Sequence, residues 1–148
     1  MELIRAKANP EDIATFCALE EKFSGLKTYS NMSDPAEAKE ELEKCLVYFI
    51  KINNETVGSI SYEWKNQNHA YIAGLTIIPE FQGRGLAREA MVKILAEIGE
   101  IQRIDLVTHP ENAKAIKLYQ SLGFKIESQK ENYYGDGEPR VIMAKNHA

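Results

Sequence analysis

Ile72-Ala73-Gly74-Leu75-Thr76-Ile77-Ile78-Pro79-Glu80-Phe81-Gln82-Gly83-Arg84-Gly85-Leu86-Ala87 is the stretch on which the fold turns. Ile72 to Ile78 is short, apolar and rich in β-branched residues, the composition of a buried strand. Beyond the glycines, Ala87, Ala90, Met91, Ile94, Leu95 and Ile98 recur at helical spacing, with Arg88, Glu89, Lys93 and Glu97 on the other side. A glycine-rich turn that opens a helix presents unpaired N–H groups at the positive end of the helix dipole. Gly83 and Gly85 carry no Cβ, so an anion can approach their backbone closely. The segment therefore offers a cradle for a diphosphate, although a strand-to-helix turn with a purely structural glycine pair has the same pattern.

Two familiar cradles are excluded. A Walker loop ends in Gly-Lys-Ser/Thr, which is missing here. A dinucleotide fingerprint needs a third glycine within the same span and an acidic residue about 20 positions on. A cradle poor in glycine and without a metal-binding hydroxyl suits a diphosphate that is held and not cleaved.

A second motif follows a short strand at Ile104 to Thr108. In Asn112-Ala113-Lys114-Ala115-Ile116-Lys117-Leu118-Tyr119-Gln120-Ser121-Leu122-Gly123-Phe124, the residues Ala115, Leu118, Tyr119 and Leu122 form one helical face, and Gly123 is the expected stop. Together, Gln82-x-x-Gly85-x-Ala87 and Asn-x-x-Ala-x-x-x-Tyr-x-x-x-Gly-Phe resemble the GNAT superfamily of acetyl-CoA-dependent N-acetyltransferases. The resemblance covers residues 70 to 126.

Composition is compatible with this. A chain of 148 residues with 44% hydrophobic content is expected to form one domain, residues 1–148, with a proper core. A net charge of −4 without a basic run argues against nucleic acid as a partner. Cys17 and Cys45 are isolated, without metal-ligand spacing, and read as thiols in a reducing compartment. The start, Met1-Glu2-Leu3-Ile4-Arg5, lacks the features of a secretory leader, and no apolar run approaches the ~20 residues of a membrane span. A cytoplasmic location is expected, with no metal and no membrane partner.

Elsewhere, Glu2 to Lys7 reads as a strand. Asn9-Pro10-Glu11-Asp12 starts a helix carried by Ile13, Phe16, Cys17, Leu19, Glu20 and Phe23 toward Gly25. Asp34-Pro35 starts another through Ala38, Leu42 and Cys45. Leu46 to Lys51 and Thr56 to Trp64 read as a hairpin about Asn53-Asn54. Lys125 to Asn132 and Arg140 to Lys145 pair around Gly135-Asp136-Gly137. An edge strand near residues 140 to 145 is the candidate contact for a homodimer.

The pattern is α/β (α+β). The resemblance implies a mixed, mostly antiparallel, bent sheet of about six to seven strands flanked by about four helices. It also implies that the fourth and fifth strands splay to admit pantetheine. Leu75, Thr76 and Ile77 would then offer backbone groups to that arm, while Gln82, Gly83, Arg84, Gly85, Leu86 and Ala87 hold the pyrophosphate and Asn112 bonds the pantetheine. Tyr119 matches the superfamily's general acid, a phenol that protonates the departing thiolate. The Ile77 N–H would meet the oxyanion. Read from spacing alone, Tyr119 is an amphipathic core residue.

The ribosomal-protein and protein N-terminal members of the superfamily often place Glu or His where this chain has Val107. His109 lies two residues on, as a proton relay or a solvated loop histidine, and Tyr71 matches a strand-four tyrosine that handles the amine proton in some relatives. Tyr133 and Tyr134 resemble a tyrosine hairpin that walls the peptide groove there. The loop Phe23-Ser24-Gly25-Leu26-Lys27-Thr28-Tyr29 lacks the Phe-Pro of many such enzymes. Glu20, Glu21 and Glu63 are candidates to attract a cationic amine. An α-amine, with a pKa of about 7.7–8.0, is partly neutral at pH 7, whereas a lysine near 10.4 is not. The expected function is acetylation of the α-amine of a protein or peptide by direct attack on acetyl-CoA. The alternatives are a small-amine acetyltransferase (polyamine, amino acid or aminoglycoside) and a non-catalytic acyl-CoA-binding module.

Overall fold

A computed structural model describes residues 1–147. Seven strands form one sheet in the order β1-β2-β3-β4-β5-β7-β6. They are β1 (Glu2–Arg5), β2 (Leu46–Ile52), β3 (Glu55–Asn66), β4 (His69–Ile77), β5 (Arg103–Thr108), β6 (Lys125–Lys130) and β7 (Arg140–Asn146). The helices are α1 (Pro10–Glu21), α2 (Pro35–Lys44), α3 (Leu86–Ile98) and α4 (Ala113–Ser121). Both early helices start as their sequences demand. Asn9 caps α1 by accepting from the Asp12 N–H at 2.7 Å, and Asp34 caps α2 by accepting from Glu37; each is followed by proline at the first helical position.

The sheet buries a different set of residues on each face. On one face Ile60, Tyr62, Ile72, Met91, Ile94, Leu106 and Phe124 join α3 and α4 to the strands. On the other, Val47, Phe49 and Ala73 pack against Phe16, Ala38, Leu42 and Cys45 of α1, α2 and the α2 cap. Asn53 and Asn54, at φ +48° and +67°, make the two-residue turn between β2 and β3.

All neighbouring strands are antiparallel except β4 and β5. That parallel pairing runs only from His69–Arg103 to Ile72–Leu106 and then stops. At this point β4 carries a bulge: Tyr62 faces Ile72 but Ser61 faces Gly74, so Ala73 is an extra residue. A bulge bends its strand and increases its twist. Beyond Ala73, β4 stays with β3 and leaves β5, which opens the sheet.

Three boundaries and one strand's place in the sheet differ from expectation. β4 begins at His69, three residues before the apolar run, because Asn66 closes a tight turn by accepting from the Asn68 N–H. α1 ends at Glu21, and Phe23 is buried from the turn beyond it. β6 stops at Lys130, leaving Asn132 in the loop. β7 is an interior strand with β5 on one side and β6 on the other, so it offers no edge to a second copy; the edges are β1 and β6. Among the described residues no helix is long and apolar enough to cross a membrane.

Candidate active site

The divergence of β4 from β5 leaves the β4 edge facing an opening. Ile78 N–H bonds to the Val57 carbonyl at 2.8 Å, which makes Gly58–Ile77 and Ile60–Leu75 the non-hydrogen-bonded pairs of the β3–β4 ladder. The backbone groups of Leu75 and Ile77 therefore point away from β3 into the opening, whereas those of Thr76 are committed to Ser59. Thr76 lines the groove over the α3 N-terminus together with Leu75 and Ile77, and its hydroxyl lies 3.2 Å from Ser59 Oγ.

After β4, a 3-10 turn at Pro79–Phe81 leads to Gly83 and Gly85, at φ +79° and +77°. These left-handed conformations require glycine, and no protein atom lies within 4 Å of where a Cβ would stand on either. Gly85 caps α3 without a side-chain hydrogen bond, and the first helical bond runs from Glu89 N–H to its carbonyl. The amides of Leu86, Ala87 and Arg88 are thus left for a ligand, at the positive end of the helix.

Side chains around this turn fasten it to its neighbours. Gln82 donates from Nε2 to the Ile77 carbonyl at 2.8 Å and from its backbone N–H to Pro79, so it fixes the turn against β4. Arg84 lies over the Phe81 ring at 4.6 Å and donates to the Glu80 carbonyl. Arg88, unremarked in the sequence except as a polar-face residue, reaches across to Ser121 Oγ at 2.7 Å and joins the start of α3 to the end of α4.

Two cavities meet beside this edge. A groove of about 740 Å³ runs over the α3 N-terminus, between β4 and α4. A second cavity of about 380 Å³ lies on the α2 side, lined by Tyr71, Ala73, Val107, His109 and Tyr134. They share Thr28, Tyr29, Leu75, Asn112, Ala115 and Tyr119. Tyr119 is only 8% exposed, packs edge-on against Phe124 at 6.1 Å, and has no hydrogen-bond partner for its hydroxyl among the described residues. Burial pushes its pKa up to about 12, so it stays protonated. Asn112 spends its amide nitrogen on the Thr28 carbonyl and Thr108 Oγ1, both at 3.3 Å, which leaves its oxygen as an acceptor.

The candidate bases fare differently. His109 is not solvated; it is 1% exposed. Its Nδ1 accepts from the Glu111 N–H at 3.0 Å, so Nε2 carries the proton and donates to Glu138 at 2.8 Å. Both ring nitrogens are occupied and no lone pair is left to take a proton. Tyr71 lines the cavity, and burial, reinforced by Tyr134, holds its pKa well above the ordinary phenol value. It can hydrogen-bond an amine but is not a phenolate.

The β6–β7 loop is built around Arg140, which is 2% exposed. It donates to Asp136 and to the Pro139 carbonyl and stands 5.1 Å from the Tyr134 ring centre. Tyr134 lines the second cavity; Tyr133 packs edge-on against it, 4.9 Å away, outside the lining.

Glu20 does not attract an acceptor. Its buried carboxylate accepts from the Tyr29 hydroxyl and the Met32 N–H, tying the loop between α1 and α2 to α1, and burial raises its pKa. Glu21 is exposed outside both cavities. Glu63 does line the second cavity, and Glu41, which sequence reading passed over, lines it too. The signal was present, because Glu41 falls on the Ala38–Leu42–Cys45 stripe that faces the core.

Residues 14–124 match the acetyltransferase (GNAT) family. The chain belongs to that family. It is 25% identical over 111 residues to an N-alpha-acetyltransferase of Sulfurisphaera tokodaii, covering 66% of each chain. It is 33% identical over 82 residues to the [ribosomal protein bS18]-alanine N-acetyltransferase of Salmonella typhimurium, covering 52% of this chain and 55% of that one. Across such curated relatives the match spans between 46% and 74% of their length. In fold, the chain is similar to the ribosomal-protein-S18-alanine N-acetyltransferase of Escherichia coli, with a TM-score of 0.79, 23% identity, and coverage of 98% of this chain and 94% of that one. The expected mixed, mostly antiparallel sheet with four flanking helices is the fold observed.

Proposed function

We propose that this protein transfers the acetyl group of acetyl-CoA to the α-amino group of a protein or peptide by direct attack on the thioester. The observation that carries the reading is the meeting of two cavities at Leu75, Asn112 and Tyr119, where the Tyr119 side chain, whose hydroxyl has no hydrogen-bond partner among the described residues, lines both. Acetyl-CoA fits the larger groove. The free amides at the start of α3 would receive its diphosphate. The outward-facing backbone groups of Leu75 match the amides of its pantetheine arm, and the Asn112 oxygen adds an acceptor. The co-substrate supplies the activated acyl group. The chain's residues orient it, exclude water and manage protons.

Tyr119 is the proposed donor to the departing sulfur, and the Ile77 N–H the proposed donor to the developing oxyanion. None of the three groups at the expected base positions is free near neutral pH: Val107 has no titratable group, His109 is fully engaged, and Tyr71 is too weakly acidic; Glu41 and Glu63, which also line the cavity, are paired with Lys44 and Lys65. Such a site works best on an amine that arrives neutral. At pH 7 roughly a tenth of α-amines are neutral, against well under a thousandth of lysine side chains. Neither cysteine serves as a nucleophile, since burial lifts the Cys45 thiol to about 12 and raises that of Cys17 as well.

The test is CoA thiol release with one panel: peptides with free N-termini, the same peptides blocked but carrying lysine, polyamines, and aminoglycosides. Turnover confined to free N-termini is expected, with kcat/KM rising through a midpoint near pH 8 as the substrate amine deprotonates and levelling above about pH 9. Turnover of blocked lysine peptides overturns the α-amine reading. A second reading, a small-amine acetyltransferase, is favoured by the acceptor cavity, whose 380 Å³ is in the range of small-molecule sites. Tight acetyl-CoA binding without release on any acceptor would leave a binding module.

A further inference from the structure

Past Tyr71, the acceptor cavity ends in a wall that the acetyl-transfer chemistry does not use. Glu63 on β3 stands opposite Tyr71 on β4 in the ladder. Glu41 comes from the last turns of α2, and its side chain is 9% exposed. Among the described residues, the Glu41 carboxylate accepts no hydrogen bond from a backbone or amide donor. Its ion pair with the half-exposed Lys44 is long, at 3.7 Å, and its other neighbour is the Cys45 thiol, a weak donor. A nine-tenths buried carboxylate whose cation is a half-exposed lysine 3.7 Å away is weakly compensated in the wall of a cavity.

Lys65 indicates which kind of cation suits this wall. Its ammonium bonds Glu63 at 2.8 Å and stands 5.3 Å from the centre of the Tyr71 ring. An alkylammonium is thus already accommodated between a carboxylate and an aromatic face at the mouth of this wall. The Lys65 and Lys44 side chains are about half exposed, so both can swing into water and yield their places.

We propose that Glu41 and Glu63 form a cation subsite that selects acceptors carrying a second ammonium or guanidinium beyond the amine to be acetylated. This rests on the assignment of the smaller cavity to the acceptor. In a peptide the second charge comes from a lysine or arginine among the first two residues; in a small acceptor, from the far end of a diamine. The raised pKa of Glu41, caused first by burial, agrees with a carboxylate whose ionised form needs a partner.

The experiment compares kcat/KM for free-N-terminus peptides with Lys, Arg, Ala or Glu at residue two, and for diamines against monoamines of equal length, in wild type and four variants. Glu41→Gln and Glu63→Gln are expected to cut the preference for dicationic acceptors by about 10- to 100-fold through KM, the range for losing a charge-assisted hydrogen bond. Lys44→Gln and Lys65→Gln, which remove the internal competitors, are expected to lower KM for the same acceptors. A purely structural role would not give opposite signs. Acetyl-CoA binding, followed by calorimetry, identifies any variant that fails to fold, and Glu63→Gln serves if Glu41→Gln does. Equal kcat/KM for Lys and Ala peptides and for diamines and monoamines in wild type overturns the subsite but leaves the α-amine reading intact. Glutamate-dependent turnover of diamines alone supports the subsite and overturns the α-amine reading.

Discussion

Replacing Tyr119 with phenylalanine separates a packing tyrosine from a chemical one. Among the described residues the hydroxyl has no hydrogen-bond partner, while the ring packs on Phe124, so the substitution keeps the packing and abandons no partner. Folding stability should hardly change, with Tm within about 2 °C of wild type, because less than ~0.5 kcal/mol is at stake. The kinetic cost is different. With the phenol at about 12, complete proton transfer to a thiolate whose thiol has a pKa near 8.5 is about 5 kcal/mol uphill. The same burial raises the thiol and narrows this gap. The hydroxyl then acts chiefly as a hydrogen bond that strengthens while charge grows on sulfur. At about 1.5–3 kcal/mol for a bond to a charged acceptor, loss of that donor costs roughly 10- to 100-fold in kcat. The assay is CoA thiol release with both substrates saturating, alongside a melting curve. No basic limb should appear in the wild-type kcat profile below about pH 11, since the acid remains protonated. A loss smaller than about threefold, or one that follows a collapse in Tm, refutes the reasoning.

Gly85→Ala places a Cβ on a backbone at φ +77° with empty space around it, so the strain is conformational, about 1–2 kcal/mol. Tm should fall by roughly 2–6 °C and the acetyl-CoA KM should rise, which a melt and initial rates report. At Gly58 the obstacle is contact, because a Cβ would run into the Thr76 carbonyl oxygen across the ladder. Gly58→Ala should cost about 2–4 kcal/mol in urea unfolding and damage acetyl-CoA binding through the displaced β4. Glu20 and Glu41 have pKa values raised in the fold, so their contribution to stability is fully present below the unfolded carboxylate range and is lost as pH rises through the folded values. As pH rises above the ordinary carboxylate range, Glu20→Gln should therefore flatten the decline of Tm, whereas Glu20→Ala should loosen the Tyr29–Met32 loop and destabilise at every pH. Tyr133→Ala/Tyr134→Ala should raise the acceptor KM several-fold more than the acetyl-CoA KM; equal effects on the two would remove this hairpin from the acceptor groove.

Local chemistry made most of the strands and helices legible. Asn9-Pro10 and Asp34-Pro35 announce their helices, Asn53-Asn54 its hairpin, and Gly83 and Gly85 the turn whose positive φ values only glycine adopts readily. Less legible was whatever depends on distant pairing. Nothing near residue 140 reveals that β7, expected to pair with β6, sets its other side against β5 and so becomes an interior strand. The bulge at Ala73 exists only relative to Ser61 and Tyr62. His109 looked like a loop residue because its partners, the Glu111 amide and the Glu138 carboxylate, are set by the β5–α4 turn and the β6–β7 loop. Glu41 lay on an apolar stripe where a charge should have stood out, and the acids singled out instead were Glu20, Glu21 and Glu63.

By parting from β5, β4 acquires an edge inside the molecule. Outer edges are usually blunted by charge or proline, because they invite another chain. Here the amides of Leu75 and Ile77 face a slot too narrow for a folded neighbour but open to an extended, amide-bearing chain. The sheet is in this sense one strand short, and a bound ligand would complete it. Amide exchange should record this as an alternation. In the free protein Leu75 and Ile77 exchange fast while Thr76, bonded to Ser59, exchanges slowly. On saturation with acetyl-CoA the alternation should vanish as all three become slow.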